Sequence, residues 1–195
     1  MTEAAAAAAF PAAERVSVGG EEYRLVITPE QIRVRVAELG RELDRVYHGR
    51  RPVFIGVLNG AVIFLADLLR AVAFENEVDF VKISSYGAGK ISSGKITELL
   101  KPTLVLRGRD VLVVEDIVDS GRSLRHLISR LEIQAPASLR VAAFLQKPEP
   151  NAADLRADFV GFPAPAGFVV GYGLDCNGLG RNLAGVYELV KTVNR

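Results

Sequence analysis

The hydrophobic positions of this chain follow two kinds of spacing. Short continuous apolar runs, such as residues 111–114, predict strands that are buried on both faces. In other segments apolar residues recur three or four positions apart, as after Thr28-Pro29, where a cap residue and a proline suit the start of a helix. The pattern predicts strands at 23–27, 53–58, 78–84, 111–114, 139–145, 158–161 and 168–172, and helices at 29–46, 59–72 and 122–131. Strands that alternate with helices indicate an α/β fold with a central, mostly parallel sheet flanked by helices.

Length and two unusual segments define the expected domain organisation. A chain of 195 residues is long enough for one domain with a substantial core. Residues 1–20 include a run of six alanines with no basic residue before it, so we expect a flexible Ala-rich tail and not a signal peptide. A single domain is then expected over 21–195. Residues 87–101 are polar and rich in glycine and lysine, which is typical of a lid or of a disordered connection.

Composition argues against several classes of protein. The formal net charge of +1 offers no broad basic surface, so nucleic acid is not an expected partner. The single cysteine, Cys176, rules out an internal disulfide and suits a reducing cytoplasm. No apolar stretch reaches the length of a transmembrane helix, so no membrane partner is expected.

The segment 111–124, VLVVEDIVDSGRSL, carries the strongest chemical signal. An apolar strand ends in two carboxylates, Glu115 and Asp116, and a turn containing Asp119 and Gly121 leads into a helix. Taken alone, the turn could be an ordinary strand-to-helix connection whose aspartate or serine caps the helix. The combination favours a phosphate held beside a sugar, because backbone N–H groups at a helix N-terminus bind anions and the adjacent carboxylates can bind hydroxyls.

Five segments together resemble a known family. They are VLNGA at 57–61, SSYG at 84–87, the segment 111–124, FLQKP at 144–148, and GFVVGYGLDCN at 167–177 followed by Arg181. The segment 111–124 is similar to the phosphoribosyl-pyrophosphate (PRPP) signature of type I phosphoribosyltransferases, and the whole set resembles the hypoxanthine-guanine phosphoribosyltransferases. The resemblance implies the type I fold, with a small hood built from the N- and C-terminal segments. It also implies Mg²⁺-dependent transfer of phosphoribose from PRPP to N9 of a 6-oxopurine, and a homo-oligomer, dimer or tetramer.

The resemblance assigns the PRPP signature to the ribose and its phosphate. Glu115 and Asp116 would hold the ribose hydroxyls and support a metal ion bound to them. Asp119 would meet purine N7 as the general base or hydrogen-bond partner. The 5′-phosphate cradle would consist of Asp119, Ser120, Gly121, Arg122 and Ser123.

The same resemblance assigns the purine pocket to the last two segments. Lys147 would donate to the 6-oxo group, Phe168 would stack on the base, and backbone groups of Val169 would contact its edge. Asp175 would adjoin the purine and help to place a second Mg²⁺ on the pyrophosphate. Without the resemblance, Lys147 would be interpreted as a solvated surface residue, and Phe168 and Val169 as core residues.

The resemblance assigns pyrophosphate binding to residues at the ends of other predicted strands. Backbone groups of Asn59 and Gly60 and the guanidinium of Arg181 would bind it, and Ser85 and Tyr86 would stand at the catalytic lid. In the family the peptide bond before Asn59 is often cis, and we expect a cis or otherwise strained peptide here. The chain departs from the family where Asn59 replaces the usual lysine and where Arg122 replaces a lysine or a neutral residue.

Other functions on the same fold remain open at this point. One is a phosphoribosyltransferase for adenine, xanthine or uracil. Lys147 favours a 6-oxo acceptor, because an ammonium group donates hydrogen bonds but cannot accept them. The other is a regulator that senses PRPP or a nucleotide. Such a regulator could dispense with Asp119 and would usually carry a surface for nucleic acid, which the near-neutral charge does not offer.

Overall fold

The computed structural model of the chain describes residues 12–85, 96–119, 121–147 and 156–190. The elements are β1 (Arg15–Val18), β2 (Glu21–Ile27), α1 (Pro29–Tyr47), β3 (Val53–Leu58), α2 (Val62–Ala71), β4 (Glu77–Ser85), β5 (Ile96–Leu100), β6 (Asp110–Val118), α3 (Arg122–Glu132), β7 (Ser138–Gln146), β8 (Phe159–Pro163), β9 (Val169–Val170) and β10 (Val186–Leu189).

The main sheet of the described residues has the strand order β5-β4-β3-β6-β7-β8. All neighbouring strands are parallel except the edge pair β4 and β5, which is antiparallel. The α/β fold with a mostly parallel sheet is therefore confirmed. In a parallel sheet the carboxyl ends of the strands meet at one edge, and ligands of α/β proteins bind there.

Alternating side chains of the central strands build two apolar layers. Phe54 of β3 packs in one cluster with buried residues of α1 and α2. Its neighbours Val53 and Ile55 face the opposite side and pack in a second cluster with α3. Burial on both faces explains why the sequence of these strands is a continuous apolar run.

Helix α1 begins where the sequence predicts. The side chain of Thr28 accepts a hydrogen bond from the N–H of Gln31, the side chain of Gln31 accepts one from the N–H of Thr28, and Pro29 occupies the first turn. This reciprocal capping satisfies two backbone donors that no carbonyl of the helix can reach.

The second sheet of the described residues has the order β1-β2-β10-β9 and joins the two ends of the chain. It corresponds to the predicted hood. Residues 15–18 form β1, which pairs with β2 from Arg15↔Arg24 to Val18↔Glu21. The prediction of a tail over 1–20 was therefore wrong for this stretch, because backbone pairing and the burial of Val18 hold it on the sheet. Residues 1–11 lie outside the described part of the chain.

Three further strands differ from the sequence-based prediction. β6 continues to Val118, because its pairing with β7 extends through Ile117↔Leu145 and Val118↔Gln146. β5 lies inside the segment predicted as a lid or a disordered connection and pairs with β4. The strand predicted at 168–172 is reduced to the two residues of β9. Among the described residues, no helix is both long enough and apolar enough to cross a membrane.

Candidate active site

A cleft of about 320 Å³ opens at the carboxyl ends of β3 and β6. Three chain segments line it, together with Ile83 of β4 and two residues from the loop that follows β9. The segments are residues 57–60, residues 115–119 and the start of α3 at residues 121–124, and the two loop residues are Asp175 and Arg181. Most of the predicted PRPP and pyrophosphate residues therefore lie around one cleft.

Glu115 and Asp116 occupy the last half of β6 and do not follow a strand end as the sequence suggested. Glu115 is only 9% exposed, and the N–H of Asp116 donates to its Oε1 at 3.3 Å. Burial, and then the neighbouring Asp116 carboxylate, raises the pKa of Glu115 well above its ordinary value. Two adjacent carboxyl groups at the cleft, one of them buried, form a place where a cation or sugar hydroxyls would be favourable partners.

Two glycines, one in the cleft lining and one beside it, lie in close contact with other chain segments. A Cβ atom on Gly60 would overlap the carboxylate of Asp116, so only glycine allows this carboxylate to lie over the turn before α2. A Cβ atom on Gly173 would overlap the carbonyl oxygen of Gly60, and Gly173 has a φ of +99°. Gly60 thus lets the Asp116 carboxylate keep its place, and at Gly173 both the positive φ and the nearby carbonyl oxygen exclude a side chain.

The predicted phosphate turn leads into α3 as the sequence indicated. Gly121 is the N-cap in the left-handed conformation, with φ +69°, and it makes no side-chain cap. Arg122 and Ser123 are the first residues of α3 and line the cleft. Uncapped N–H groups at a helix start attract anions. Ser120 lies outside the described residues.

Asp119 and Lys147 form an ion pair, with Lys147 Nζ 3.0 Å from Asp119 Oδ1. The lysine follows β7, and its backbone N–H donates to the carbonyl oxygen of Val118 at 3.0 Å. Register between β6 and β7 thus sets the two side chains next to each other. The Asp119 side chain is 63% exposed, so it is accessible from the cleft that it lines.

Asp175 and Arg181 form a second pair across the loop that follows β9. Arg181 Nη2 lies 2.6 Å from Asp175 Oδ1, and Arg181 Nη1 donates to the carbonyl oxygen of Gly173 at 2.6 Å. The other carboxylate oxygen, Asp175 Oδ2, accepts from the N–H of Gly178 at 2.6 Å. Both side chains are therefore held at the cleft wall by several hydrogen bonds.

The remaining predicted residues have varied positions. Asn59 is exposed and lines the cleft, and the peptide bond between Leu58 and Asn59 is cis, as expected. Ser85 is the last residue of β4, and Tyr86 lies outside the described residues. Neither Phe168 nor Val169 is among the described residues that line the cleft.

The two purine-pocket residues of the hood differ in exposure. Phe168 is 52% exposed, a state in which an aromatic ring is available for stacking. Val169 is buried in the apolar cluster against which Ile117 of β6 packs. The hood thus lies next to the strand that carries the carboxylates, and the resemblance alone, not the pocket geometry, links Phe168 to a base.

The oxygen atoms at this cleft fit Mg²⁺ in kind. Carboxylates outnumber guanidinium groups among the described cleft residues, four to two: Glu115, Asp116, Asp119 and Asp175 against Arg122 and Arg181. An anionic ligand would therefore need a cation. The described residues contain no ready cluster of three metal-ligating side chains. An ion here would take its other ligands from water and substrate oxygens, as Mg²⁺ commonly does.

Two features of the cleft escaped the sequence-based interpretation. Ile117 belongs to β6 and lines the cleft between the acidic pair and Asp119, beyond the point where the sequence predicts the strand to end. Gly173 supports Gly60 from a segment 113 positions along the chain, as the two residue numbers give. The signal for Gly173 was its place in the sequence GYG, but its partner could not be identified without the fold.

The chain is similar to known proteins over most of its length. The chain matches the family model of the phosphoribosyl transferase domain over residues 28–177. It is 42% identical over 160 residues to a hypoxanthine-guanine phosphoribosyltransferase of Bacillus subtilis, a match covering 82% of this chain and 89% of that protein. A crystal structure of such an enzyme from Bacillus anthracis superposes with a TM-score of 0.79 at 37% identity, covering 85% of this chain and 97% of the other.

A relative of a different organisation is also similar. The chain is 41% identical over 173 residues to the bifunctional protein TilS/HprT of Listeria monocytogenes, which covers 86% of this chain. The match covers 27% of that protein, so the chain spans about a quarter of the length of this relative. The similarity to the shorter relatives extends over most of both chains. The chain therefore belongs to the phosphoribosyltransferase family, and within it to the hypoxanthine-guanine phosphoribosyltransferases.

Proposed function

We propose that this chain transfers the 5-phosphoribosyl group of PRPP to N9 of hypoxanthine or guanine. The bond between ribose C1 and the pyrophosphate oxygen breaks, the bond between C1 and N9 forms, and the purine loses one proton. The products are IMP or GMP and pyrophosphate, which places the enzyme in purine salvage.

The observation that carries this proposal is the pair formed by Lys147 and Asp119 beside the phosphate turn. A 6-oxopurine with its proton on N7 presents an acceptor, the 6-oxo group, next to a donor, the N7–H. A lysine ammonium and a carboxylate 3.0 Å apart are the matching donor and acceptor. Asp119 then accepts the N7 proton as N9 bonds to the sugar, and Lys147 selects for the oxo group.

Other groups at the cleft suit the 5′-phosphate and the pyrophosphate of PRPP. The uncapped start of α3 favours binding of the 5′-phosphate. Arg181 and backbone groups of Asn59 and Gly60 suit the leaving pyrophosphate, on which negative charge grows. Asp175 keeps Arg181 oriented through their ion pair.

Mg²⁺ belongs to this proposal as the cation that offsets the carboxylates. Glu115 and Asp116 would hold one ion together with ribose hydroxyls, and Asp175 would help to hold a second one at pyrophosphate. When bound, the metal neutralises charge on the leaving group. A reducing cytoplasm and a homo-oligomeric state are parts of the same proposal, the first supported by the single cysteine and the second by the family.

The decisive experiment measures pyrophosphate release with PRPP, Mg²⁺ and each of hypoxanthine, guanine, xanthine and adenine. Release with hypoxanthine or guanine and not with adenine is the expected result. Release with xanthine alone would show that the enzyme acts on xanthine and not on hypoxanthine or guanine. If PRPP binds and none of these bases reacts, the proposal is wrong, and a PRPP sensor or an enzyme for uracil is left.

Removing the ammonium group should affect the purine more than PRPP. In Lys147→Ala the donor to the 6-oxo group is lost, so the KM for hypoxanthine should rise roughly ten- to hundred-fold, whereas the KM for PRPP should change little. Steady-state kinetics with each substrate varied in turn measures both values. The exposed cation Arg107 is a suitable control, and Arg107→Ala should change neither KM. Equal weakening of both substrates would indicate a structural contribution from Lys147.

Glu115→Gln should stabilise the free protein while it weakens metal-dependent PRPP binding. The native state holds the Glu115 proton more tightly than the unfolded chain does, because the native pKa is raised. The free energy of unfolding therefore falls as the pH rises from the ordinary glutamate pKa of about 4.3 through the raised value. Glutamine cannot ionise. The free energy of unfolding of the variant at pH 8 should therefore be about 1 kcal/mol higher than that of the wild type.

Urea unfolding from pH 5 to pH 8 in the presence of a chelator measures this difference. The exposed Glu132 provides the control, and Glu132→Gln should follow the wild type at every pH. A Glu115→Gln variant that is less stable than the wild type at pH 8 would contradict the expectation.

A further inference from the structure

Tyr172 connects helix α2 to the loop that carries Asp175 and Arg181. Its hydroxyl donates to Asp67 Oδ2 of α2 at 2.7 Å, and its side chain is only 4% exposed. Its ring packs against Phe144 of β7 with the centroids 4.6 Å apart. The hydroxyl and the ring thus have fixed partners on two different elements.

The backbone around Tyr172 has little freedom to move. Tyr172 itself has a positive φ of 49°, which is uncommon for a residue with a side chain. A Cβ atom on Gly171 would overlap the carbonyl oxygen of Gly185, as one on Gly173 would overlap that of Gly60. The Tyr172 N–H also donates to the carbonyl oxygen of Leu183 at 2.8 Å. The position of this loop is therefore determined by contacts on both sides.

These contacts lead directly to the cleft. The N–H of Gly173, the next residue, donates to the carbonyl oxygen of Arg181 at 3.0 Å, and its carbonyl accepts from Arg181 Nη1 at 2.6 Å. Asp67, the partner of Tyr172, belongs to the helix that follows Gly60. The bond between Tyr172 and Asp67 thus links the helix that follows the turn at Asn59-Gly60 to the loop that carries Arg181.

We propose that Tyr172 is a positioning residue for pyrophosphate. Through its hydrogen bond to Asp67, Tyr172 sets the distance between the turn at Asn59-Gly60 and Arg181. This inference rests on the proposed function, since it concerns how the same cleft holds PRPP. Tyr172 is not among the described residues that line the cleft, so it would act on PRPP through other residues. Its effect on PRPP is transmitted through Gly173 and Arg181. The ring contact with Phe144 of β7, the strand before Lys147, does not depend on the hydroxyl.

The direction of the hydrogen bond supports this assignment. Burial, and then the hydrogen bond to Asp67, raises the pKa of Tyr172, so the hydroxyl keeps its proton and acts as the donor. Asp67 also forms an ion pair with Arg70 of the same helix. Arg70 thereby orients the Asp67 carboxylate within the helix, and the carboxylate accepts a hydrogen bond from the Tyr172 hydroxyl of the loop.

The test compares Tyr172→Phe with three other variants by calorimetric titration of Mg²⁺-PRPP and by steady-state kinetics with hypoxanthine. Tyr172→Phe and Asp67→Ala remove the bond from either side, so that either one suffices if the other fails to fold. Asp67→Asn keeps an oxygen that accepts from the hydroxyl and should restore most of the affinity. Tyr47→Phe is the matched control, because Tyr47 is fully buried and its hydroxyl has no hydrogen-bond partner among the described residues.

We expect Tyr172→Phe and Asp67→Ala to raise the Kd for PRPP roughly ten-fold, since small displacements of binding groups have effects of this size. The KM for hypoxanthine should change by less than about two-fold, and Tyr47→Phe should leave both values unchanged. Wild-type affinity for PRPP in whichever bond-removing variants fold would overturn the inference, even if their Tm is lower. A wild type that does not bind PRPP would overturn the proposed function itself, and the inference with it.

Discussion

Asp119→Asn should reduce turnover by about ten- to ten-thousand-fold and leave the fold and PRPP binding intact. Asparagine has nearly the volume of aspartate and can still form hydrogen bonds, but it cannot take a proton from purine N7. The stability cost should be small, because the Asp119 side chain is 63% exposed and exposed ion pairs contribute about 0–1 kcal/mol.

The kcat with hypoxanthine and the Kd for Mg²⁺-PRPP together measure this prediction. A control should remove a carboxylate far from the cleft. Glu75 precedes β4 at the amino end of the parallel strands, opposite to the cleft, and its side chain is exposed. Glu75→Gln should therefore have wild-type kinetics. A wild-type kcat in Asp119→Asn would remove Asp119 from the chemistry, whereas loss of PRPP binding would indicate that it acts mainly through the phosphate turn.

The parts of the structure that the sequence predicts well are set by local signals. The start of α1 is predicted by three residues, Thr28, Pro29 and Gln31. Thr28 and Gln31 satisfy backbone N–H groups of the first turn, and Pro29 has no N–H group to satisfy. The start of α3 was equally readable, since Gly121 adopts a conformation that other residues disfavour. The apolar runs of the central strands needed only burial on both faces to be recognised.

The parts that the sequence does not predict depend on contacts between distant segments. β10 pairs with β2 from the far end of the chain, so it has no partner within its own stretch of sequence. β1 pairs with the adjacent β2 across the turn Gly19-Gly20, and only this local hairpin had a signal in the sequence. The end of β6 was placed too early, because carboxylates such as Glu115 usually mark a solvated strand end. Here the strand continues beneath them, since β7 pairs with it as far as Val118.

The candidate site divides in the same way. The acidic pair, Asp119 and the turn into α3 lie within one sequence segment, and their arrangement around one cleft follows from a strand that leads into a helix. Lys147 reaches Asp119 through the register of two parallel strands, which the sequence does not specify. The bond between Tyr172 and Asp67 joins residues 105 positions apart and has no local signal at all.

Gly60→Ala should lower kcat/KM for PRPP by at least about a hundred-fold, which is the size of effect expected when a binding group is displaced by about 1 Å. A methyl group at this position would overlap the Asp116 carboxylate, so that carboxylate would have to leave its place in the cleft. The backbone itself is not the obstacle, because Gly60 is not among the glycines with a positive φ.

A second glycine separates loss of the site from loss of stability. Gly49 has a φ of +69° and no heavy atom near its Cβ position. Gly49→Ala should therefore cost about 1 kcal/mol of unfolding free energy through backbone strain and leave the kinetics unchanged. A similar decrease in kcat/KM in both variants would show that activity follows stability, and not the position of Asp116.

A double-mutant cycle identifies the group through which Gly60→Ala acts. In an Asp116→Ala background the nearest remaining atom of residue 116 would be its Cβ, 3.2 Å from the added methyl group, a distance that a small shift can accommodate. Gly60→Ala should then cause little further loss of kcat/KM, so the two substitutions should be strongly non-additive. If Gly60→Ala has the same effect in both backgrounds, its methyl group blocks the bound pyrophosphate or the turn itself. The carboxylate of Asp116 would then not be the group that requires glycine at this position.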